Sequence, residues 1–173
     1  VVTNDAHALS LPRLSSVSTD DRLGACQAVE HLIRVGHNNI AVLGGDRTCS
    51  DTSFLRYQGC ADAFQQCNRS FDESWYRTGR YSFASGYQNM SDLLRAHPET
   101  TGVFAMADVI AIGAIRALWD HGKCVPRDVS VIGFDGLRIG DYYLPKLSTI
   151  AQPVALLAQR SFTLLLDCIE QDR

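Results

Sequence analysis

The chain has 173 residues, of which 46% are hydrophobic and 20% are charged, and its formal net charge is −3. This balance is that of an ordinary globular protein. The acidic excess argues against direct DNA binding, because domains that grip a phosphate backbone are usually basic. The sequence contains no run of about 18 apolar residues that would predict a membrane span. Its first residues do not resemble a signal peptide. Six irregularly spaced cysteines are predicted to be free thiols in a reducing cytosol, although their even number permits disulfides.

Short apolar strands alternate with helical segments along the chain, which predicts an α/β fold with a parallel sheet. Residues 1–3 are predicted to end a strand, 6–16 to form a loop and 17–18 an extended connector. A first helix is expected to begin near Thr19 or Asp20 and to stop at Gly36. Its apolar face would comprise Leu23, Cys26, Val29, Leu32 and Ile33.

Five further strands and three further helices are predicted before a final helix. The strands are expected at 40–43, 75–78, 103–106, 129–134 and 147–150. One helix is expected to begin with a cap among 51–53, and the next is expected to run from about 85 to 96. A third is expected to begin with Asp108 as its cap, and the final helix to follow Pro153. Because the chain begins within a strand and ends on a helix, we expect it to be a fragment cut at both ends.

Polar side chains follow several of these strands. Ligands of open α/β sheets bind outside the carboxyl ends of the strands, which selects residues 46–52 with Arg56, residues 80–83, residues 107–108 and residues 135–136. Carboxylates and a guanidinium hydrogen-bond to hydroxyl groups, and an aromatic face covers the apolar side of a ring. This mixture of groups suits a polyhydroxylated ligand.

Each candidate has a structural alternative. Arg56 could form a surface salt bridge, Asp108 could be only a helix cap, and Asp135 could be a turn-forming residue before Gly136. Tyr81 could be a loop aromatic that covers the core. Asp108 and Asp135 could form an acid–base pair, but no nucleophile, metal-ligand set, Walker loop or nucleophile elbow accompanies them. The sequence therefore predicts neither an enzyme nor a metal or cofactor site.

Five motifs occur in a specific order along almost the whole chain, from about residue 17 to residue 166. They are Glu30-His31-Leu32-Ile33 with Gly36-His37-x-x-Ile40; Arg56-x-x-Gly59; Asp108-x-x-Ala111-Ile112-Gly113-Ala114; Gly122-x-x-Val125-Pro126-x-Asp128 running to Phe134-Asp135; and Pro145-x-Leu147-Ser148-Thr149-Ile150-x-Gln152-Pro153. In this order the motifs resemble the lactose-repressor/galactose-repressor (LacI/GalR) family of bacterial transcriptional regulators.

The resemblance implies a two-lobed, type I periplasmic-binding-protein-like sensor, of which the chain holds mainly the C-terminal lobe. Residues 1–17 would end the N-terminal lobe, 18–149 would form the C-terminal lobe, and 150–173 would return to the N-terminal lobe. A helix-turn-helix domain, expected to be absent from this chain, would bind operator DNA. The intact protein would be a cytoplasmic homodimer that binds a small effector in the cleft between the lobes and couples that binding to operator affinity. The effector would be a sugar, a sugar phosphate or a purine-like molecule.

The resemblance also implies ligand contacts. Arg56 matches the family's effector-binding arginine, and Asp135 matches an aspartate that binds effector hydroxyls or ring nitrogens. Tyr81 matches a stacking aromatic, Thr52 matches a loop position used by some members, and Asp108 could line the pocket while it caps. Ala107 departs from the asparagine of several sugar-binding members, so no particular sugar is predicted. Two alternatives stay open: a periplasmic sugar-binding protein of a transporter, and a regulator whose effector is another protein.

Overall fold

A computed structural model describes residues 2–4 and 15–171, which fall into two units. The larger unit is Asp21–Ala151, and the smaller unit combines the described residues before and after it. The sequence had placed the lobe boundaries after residues 17 and 149, and the boundaries between the units fall after Asp20 and Ala151. The assignment of each unit to a lobe stays a prediction.

The two units contain seven strands and six α-helices among the described residues. In chain order these are β1 (Val2–Asn4), β2 (Ser15–Val17), α1 (Asp21–Arg34), β3 (Ile40–Gly44), α2 (Asp51–Gln66), β4 (Tyr76–Thr78), α3 (Phe83–Ala96), β5 (Gly102–Ala105), α4 (Asp108–Asp120), β6 (Ser130–Asp135), α5 (Ile139–Tyr142), β7 (Ser148–Ala151) and α6 (Val154–Gln171). A short 3₁₀ helix, Glu73–Trp75, leads directly into β4.

Five strands of the larger unit form one parallel sheet in the order β4-β3-β5-β6-β7. Every residue of β3 and β5 is buried, as expected for strands covered by helices on both faces. The predicted α/β class and parallel sheet are therefore confirmed. The strand order reverses between β3 and β5, because the chain leaves β3 for the outer strand β4 and then returns to the other side of β3.

Helices cover both faces of this sheet. Alternate side chains of each central strand point to opposite faces, so β3 places Val42 against α1 and α2 and Leu43 against α3 and α4. Phe104 of β5 and Phe134 of β6 join the α1–α2 side and are almost inaccessible to solvent. The packing directs the carboxyl ends of all five strands to the same edge of the sheet.

Several sequence-based predictions about helix faces and caps are wrong. Leu23, predicted on the apolar face of the first helix, is exposed. Ser50, rather than a residue of 51–53, caps α2 by accepting from the Ser53 amide. Ala107 is the N-cap residue of α4, so Asp108 is the first helical residue and does not cap that helix.

The smaller unit comprises the parallel pair β1–β2 and helix α6, which packs against both strands. Ser15 Oγ lies 3.7 Å from Cys168 Sγ within it. Ser15 and Ser16 belong to β2, whereas the sequence had placed them in a loop; the other residues of that predicted loop, 6–14, lie outside the described ones. Within residues 2–4 and 15–171, no helix is long and apolar enough to cross a membrane.

Candidate functional site

The carboxyl edge of the five-stranded sheet carries most of the predicted site residues. Loops follow β3, β4, β5 and β6 at this edge, and the strand order reverses between β3 and β5, which is the position where open α/β sheets bind their ligands. Helix α2 begins after the loop that leaves β3, so its start lies at this edge of the sheet. Site geometry therefore depends on side chains from these four loops and from the starts of α1 and α2.

Arg56 lies in the second turn of α2 and is only 4% exposed. Its Nε donates to Asp21 Oδ1 at 2.7 Å, and its Nη1 donates to the main-chain oxygen of Met106, directly after β5. The guanidinium carbon lies 3.7 Å from the centroid of the Phe134 ring. A buried guanidinium with a buried carboxylate partner is not a surface salt bridge, so that alternative is wrong.

Asp135 ends β6 and faces Arg56. Its Oδ1 lies 3.7 Å from Arg56 Nη1, and 26% of its side chain is exposed. The backbone of Asp135 has a φ of +114°, a value that residues other than glycine rarely adopt. Residues held in such regions cost about 1–3 kcal/mol each and concentrate at functional sites. Asp135 therefore combines a strained backbone with an accessible carboxylate.

Tyr81 follows β4 and reaches across to α2, where its hydroxyl lies 3.0 Å from Ser53 Oγ. Gly45 permits this approach, because a methyl group there would lie 2.6 Å from the Tyr81 ring. Burial raises the pKa of the Tyr81 hydroxyl, and the Ser53 hydrogen bond opposes that rise. The positive charge of Arg56 also lowers this pKa, whereas the negative charge of Asp135 raises it. The structure thus brings Tyr81, Arg56 and Asp135 together, with the tyrosine 40% exposed.

Thr52 and Asp108 occupy different environments. Thr52 lies in the first turn of α2 and is half-buried. Asp108 is inaccessible to solvent, and its carboxylate accepts from the Leu137 amide and the Thr149 hydroxyl, each at 2.6 Å. Asp108 therefore anchors the loop after β6 and the start of β7. Direct ligand contacts by Thr52 and Asp108 stay predictions.

Two residues near the site were missed by sequence reasoning. Asp21 was not among the site candidates, yet it is the buried partner of Arg56. Tyr76 donates from its hydroxyl to the Gly45 carbonyl at 2.5 Å, and burial raises its pKa. The acidic pair Asp20-Asp21 was a visible signal, but nothing in the sequence links it to an arginine 35 positions later.

A second cluster holds the loop after β3 in place. The Arg47 guanidinium lies 4.1 Å above the centroid of the Tyr57 ring and 3.1 Å from Glu73, and the Tyr57 hydroxyl donates to the same carboxylate at 3.0 Å. Asp46 accepts from the amide and hydroxyl of Thr48 at 2.8 and 2.6 Å, which closes a tight turn. The loop beside the candidate site is thus tied to Glu73 and Tyr57 through Arg47 and closed on itself by Asp46.

The arrangement suits binding of a hydroxyl-bearing molecule. An accessible carboxylate accepts hydroxyl protons, and a half-exposed tyrosine ring covers an apolar face. No group of three metal-ligating side chains occurs within residues 2–4 and 15–171. All six cysteine thiols are free.

The sequence matches the family described as periplasmic binding protein-like domain over residues 29–173. It is 35% identical over 158 residues to the HTH-type transcriptional regulator MalR of Clostridium butyricum, a match covering 91% of this chain and 47% of MalR. It is also 35% identical over 150 residues to the repressor PurR of Actinobacillus pleuropneumoniae, covering 87% of this chain and 44% of PurR. The chain thus spans less than half the length of these curated relatives.

Solved structures of transcriptional regulators resemble the fold closely. The CelR–cellobiose complex superposes with a TM-score of 0.92 and 30% identity, over 99% of this chain and 53% of CelR. A LacI-family regulator of Enterococcus faecium with bound ribose gives 0.88 and 35%, over 98% and 62%. A LacI-family sugar-binding regulator of Escherichia coli complexed with phosphate gives 0.83 and 35%, over 92% and 56%.

These matches confirm the resemblance inferred from the five sequence motifs. They cover the sheet, the helices on both of its faces and the loops at its carboxyl edge. The chain belongs to the periplasmic binding protein-like domain family, and its relatives are LacI-type transcriptional regulators.

Proposed function

We propose that the chain is the effector-sensing part of a bacterial transcriptional repressor and that it binds a small sugar-like molecule at the carboxyl edge of its five-stranded sheet. The observation that carries the proposal is the convergence of Arg56, Asp135 and Tyr81 at this edge. Relatives that are transcriptional regulators support it, as do structural neighbours that hold cellobiose and ribose.

The regulatory step follows from differential binding. A ligand shifts a conformational equilibrium only by the difference in its affinity for the two states. The effector would therefore bind one conformation of the full-length protein better than another and so change its affinity for operator DNA. Asp135 would accept hydroxyl protons, Tyr81 would cover the ring, and Arg56 would hold Asp135 in place while contacting the ligand.

The partners of this domain follow from the same scheme. Operator DNA would be bound by a segment outside this chain, consistent with the net charge of −3 here. We propose a homodimer that acts in the cytoplasm as a regulator without catalytic activity. A periplasmic sugar-binding protein of a transporter is not favoured, because the curated relatives are HTH-type regulators.

A thermal-shift screen of the full-length protein tests the proposal. Sugars, sugar phosphates and purine bases are assayed with the wild type, Arg56→Ala and Tyr81→Ala, and with Arg116→Ala as control. Arg116 pairs with Asp120 at 3.1 Å on the exposed side of α4, away from the carboxyl edge of the sheet. A bound effector at 100 times its Kd adds about 2.7 kcal/mol to the free energy of unfolding.

The expected result is a ligand that stabilises the wild type and Arg116→Ala but neither site variant. Equal stabilisation of all four proteins would show that the site is elsewhere, even though the family assignment stands. If no small molecule stabilises the wild type, small-molecule sensing fails and a protein effector becomes the better hypothesis.

A further inference from the structure

The Asp21–Arg56 pair is an unusual feature of the candidate site because both members are buried. Relative exposures of their side chains are 1% and 5%, and Arg56 Nε lies 2.7 Å from Asp21 Oδ1. Asp21 is the first residue of α1 and Arg56 belongs to α2, so the pair joins two helices beside the carboxyl edge of the sheet. A buried guanidinium is costly without a partner, and Asp21 provides the direct hydrogen-bonded carboxylate.

Asp135 provides the charged group of the site that is most accessible to solvent. Arg56 contributes one positive charge, and Asp21 and Asp135 contribute one negative charge each, so the three together carry a formal charge of −1. Of the three, only Asp135 has substantial exposure, at 26% of its side chain. Tyr81 adds no charge at neutral pH, because burial raises its pKa further.

We propose that Asp21 sets the charge preference of this site, so that the effector is an uncharged, hydroxyl-bearing molecule and its phosphorylated form is rejected. This inference rests on the proposed function and assigns Asp21 as a positioning residue that does not touch the ligand. Asp21 acts by neutralising Arg56 and by fixing the direction of its guanidinium.

The hydrogen bonds of Arg56 explain why it is a poor phosphate receptor. Tight phosphate binding by arginine uses two parallel N–H groups of a free guanidinium edge. Arg56 already donates from Nε to Asp21 and from Nη1 to the Met106 carbonyl, so each two-nitrogen edge of its guanidinium includes a nitrogen that has an acceptor. An anionic group beside it would also lie close to the Asp135 carboxylate, and like charges in a partly desolvated site repel.

Other arginines at this edge do not reverse the charge. Arg47 is held by Glu73 at 3.1 Å and stacks on Tyr57. Arg80, in the loop after β4, and Arg138, in the loop after β6, are exposed to solvent, where a single ion pair with a phosphate is screened and weak. Hydroxyl groups avoid this problem because they can donate directly to Asp135.

Calorimetric titration of the full-length protein with matched pairs of probes tests the inference. The probes are ribose and ribose 5-phosphate, glucose and glucose 6-phosphate, cellobiose, and inorganic phosphate. Each is titrated into the wild type, Asp21→Asn and a control, Asp62→Asn. Asp62 pairs with Arg22 and also joins α1 to α2, but that pair is exposed. Both substitutions therefore remove one charge from an α1–α2 salt bridge.

The wild type is expected to bind one uncharged sugar at least about tenfold more tightly than its phosphate ester, since a unit charge nearby in a partly desolvated site readily contributes a tenfold factor. Asp21→Asn is expected to move this ratio toward the ester by roughly tenfold, and Asp62→Asn to leave it unchanged. The ratio would not move if Asp21 were only a structural residue.

Two outcomes would overturn the inference while the proposed function stands. One is a wild type that binds a sugar phosphate as tightly as its parent sugar, a comparison that needs no variant. The other is a folded Asp21→Asn protein, judged by its circular dichroism and cooperative unfolding, with an unchanged ratio. If none of the probes binds to the wild type, the inference is overturned, and the thermal-shift screen decides the proposed function separately.

Discussion

Replacing Asp108 by alanine separates a structural role from a ligand-binding one. Its buried carboxylate accepts two 2.6 Å hydrogen bonds, from the Leu137 amide and the Thr149 hydroxyl. A hydrogen bond to a charged group contributes about 1.5–3 kcal/mol, so losing both should lower the free energy of unfolding by about 3 kcal/mol or more. For a unit of this size, that corresponds to a decrease in Tm of roughly 6–12 °C.

Asparagine at the same position should cost less, about 1–2 kcal/mol. Its amide oxygen can still accept from the Leu137 amide, and the Thr149 hydroxyl can rotate to accept from the new NH₂ group. Urea unfolding followed by circular dichroism measures both variants. Adding Thr149→Val completes a double-mutant cycle, in which a coupling energy of about 1–2 kcal/mol between positions 108 and 149 is expected.

The reasoning would be refuted by an Asp108→Ala protein whose stability lies within about 0.5 kcal/mol of the wild type. If that protein also failed to bind an effector that the wild type binds, Asp108 would be a ligand contact. A purely structural Asp108 instead predicts that binding weakens only in proportion to lost folding, so that saturating effector restores the folded population.

Two further predictions concern packing and pH. Gly59→Ala should lower the free energy of unfolding by about 1–3 kcal/mol. The new methyl group would overlap the Arg22 carbonyl oxygen and lie 2.9 Å from the Cys26 nitrogen, which would force α1 and α2 apart. Urea unfolding measures this loss, and the control Gln58→Ala, at a half-buried position of the same helix, should stay within about 0.5 kcal/mol of the wild type. The pKa of Asp128 is lowered to about 2 by the Arg127 side chain and then by the Cys124 amide, so its stabilising effect is present above the usual carboxyl pKa and is lost as the pH falls through about 2. Unfolding midpoints between pH 5 and pH 2 should therefore fall less steeply in Asp128→Asn than in the wild type, and identical slopes would contradict the assignment.

The strands and helices of the larger unit were predictable because their signals are local. Continuous apolar runs identified β3, β5 and β6, and their burial on both faces is what such runs require. The carboxyl ends of the predicted strands then indicated one edge of the sheet as the ligand site. Arg56, Tyr81 and Asp135 do come together at that edge. Helix α5 was missed, because four residues give no detectable period.

The failures share a physical cause, which is that they depend on distant contacts. An aspartate at a helix start ordinarily caps it, yet Asp108 bonds to residues 29 and 41 positions later instead. The apolar face predicted for the first helix included Leu23, but that residue is 52% exposed. Periodicity identifies which face of a helix is apolar, whereas the width of the neighbouring layer decides how much of that face is buried.

The Asp21–Arg56 pair is also better explained by function than by stability. Replacing a buried ion pair by well-packed apolar residues is often neutral or stabilising, so such pairs are weak evidence for a stabilising role. Here the pair lies beside a carboxylate whose backbone adopts a φ of +114°, a second feature that costs folding free energy. Both costs fall on neighbouring residues at one edge of the sheet, while the core beneath them is formed by ordinary apolar packing. Unfavourable features concentrated in this way are expected where charge and geometry are fixed for a ligand rather than for the fold.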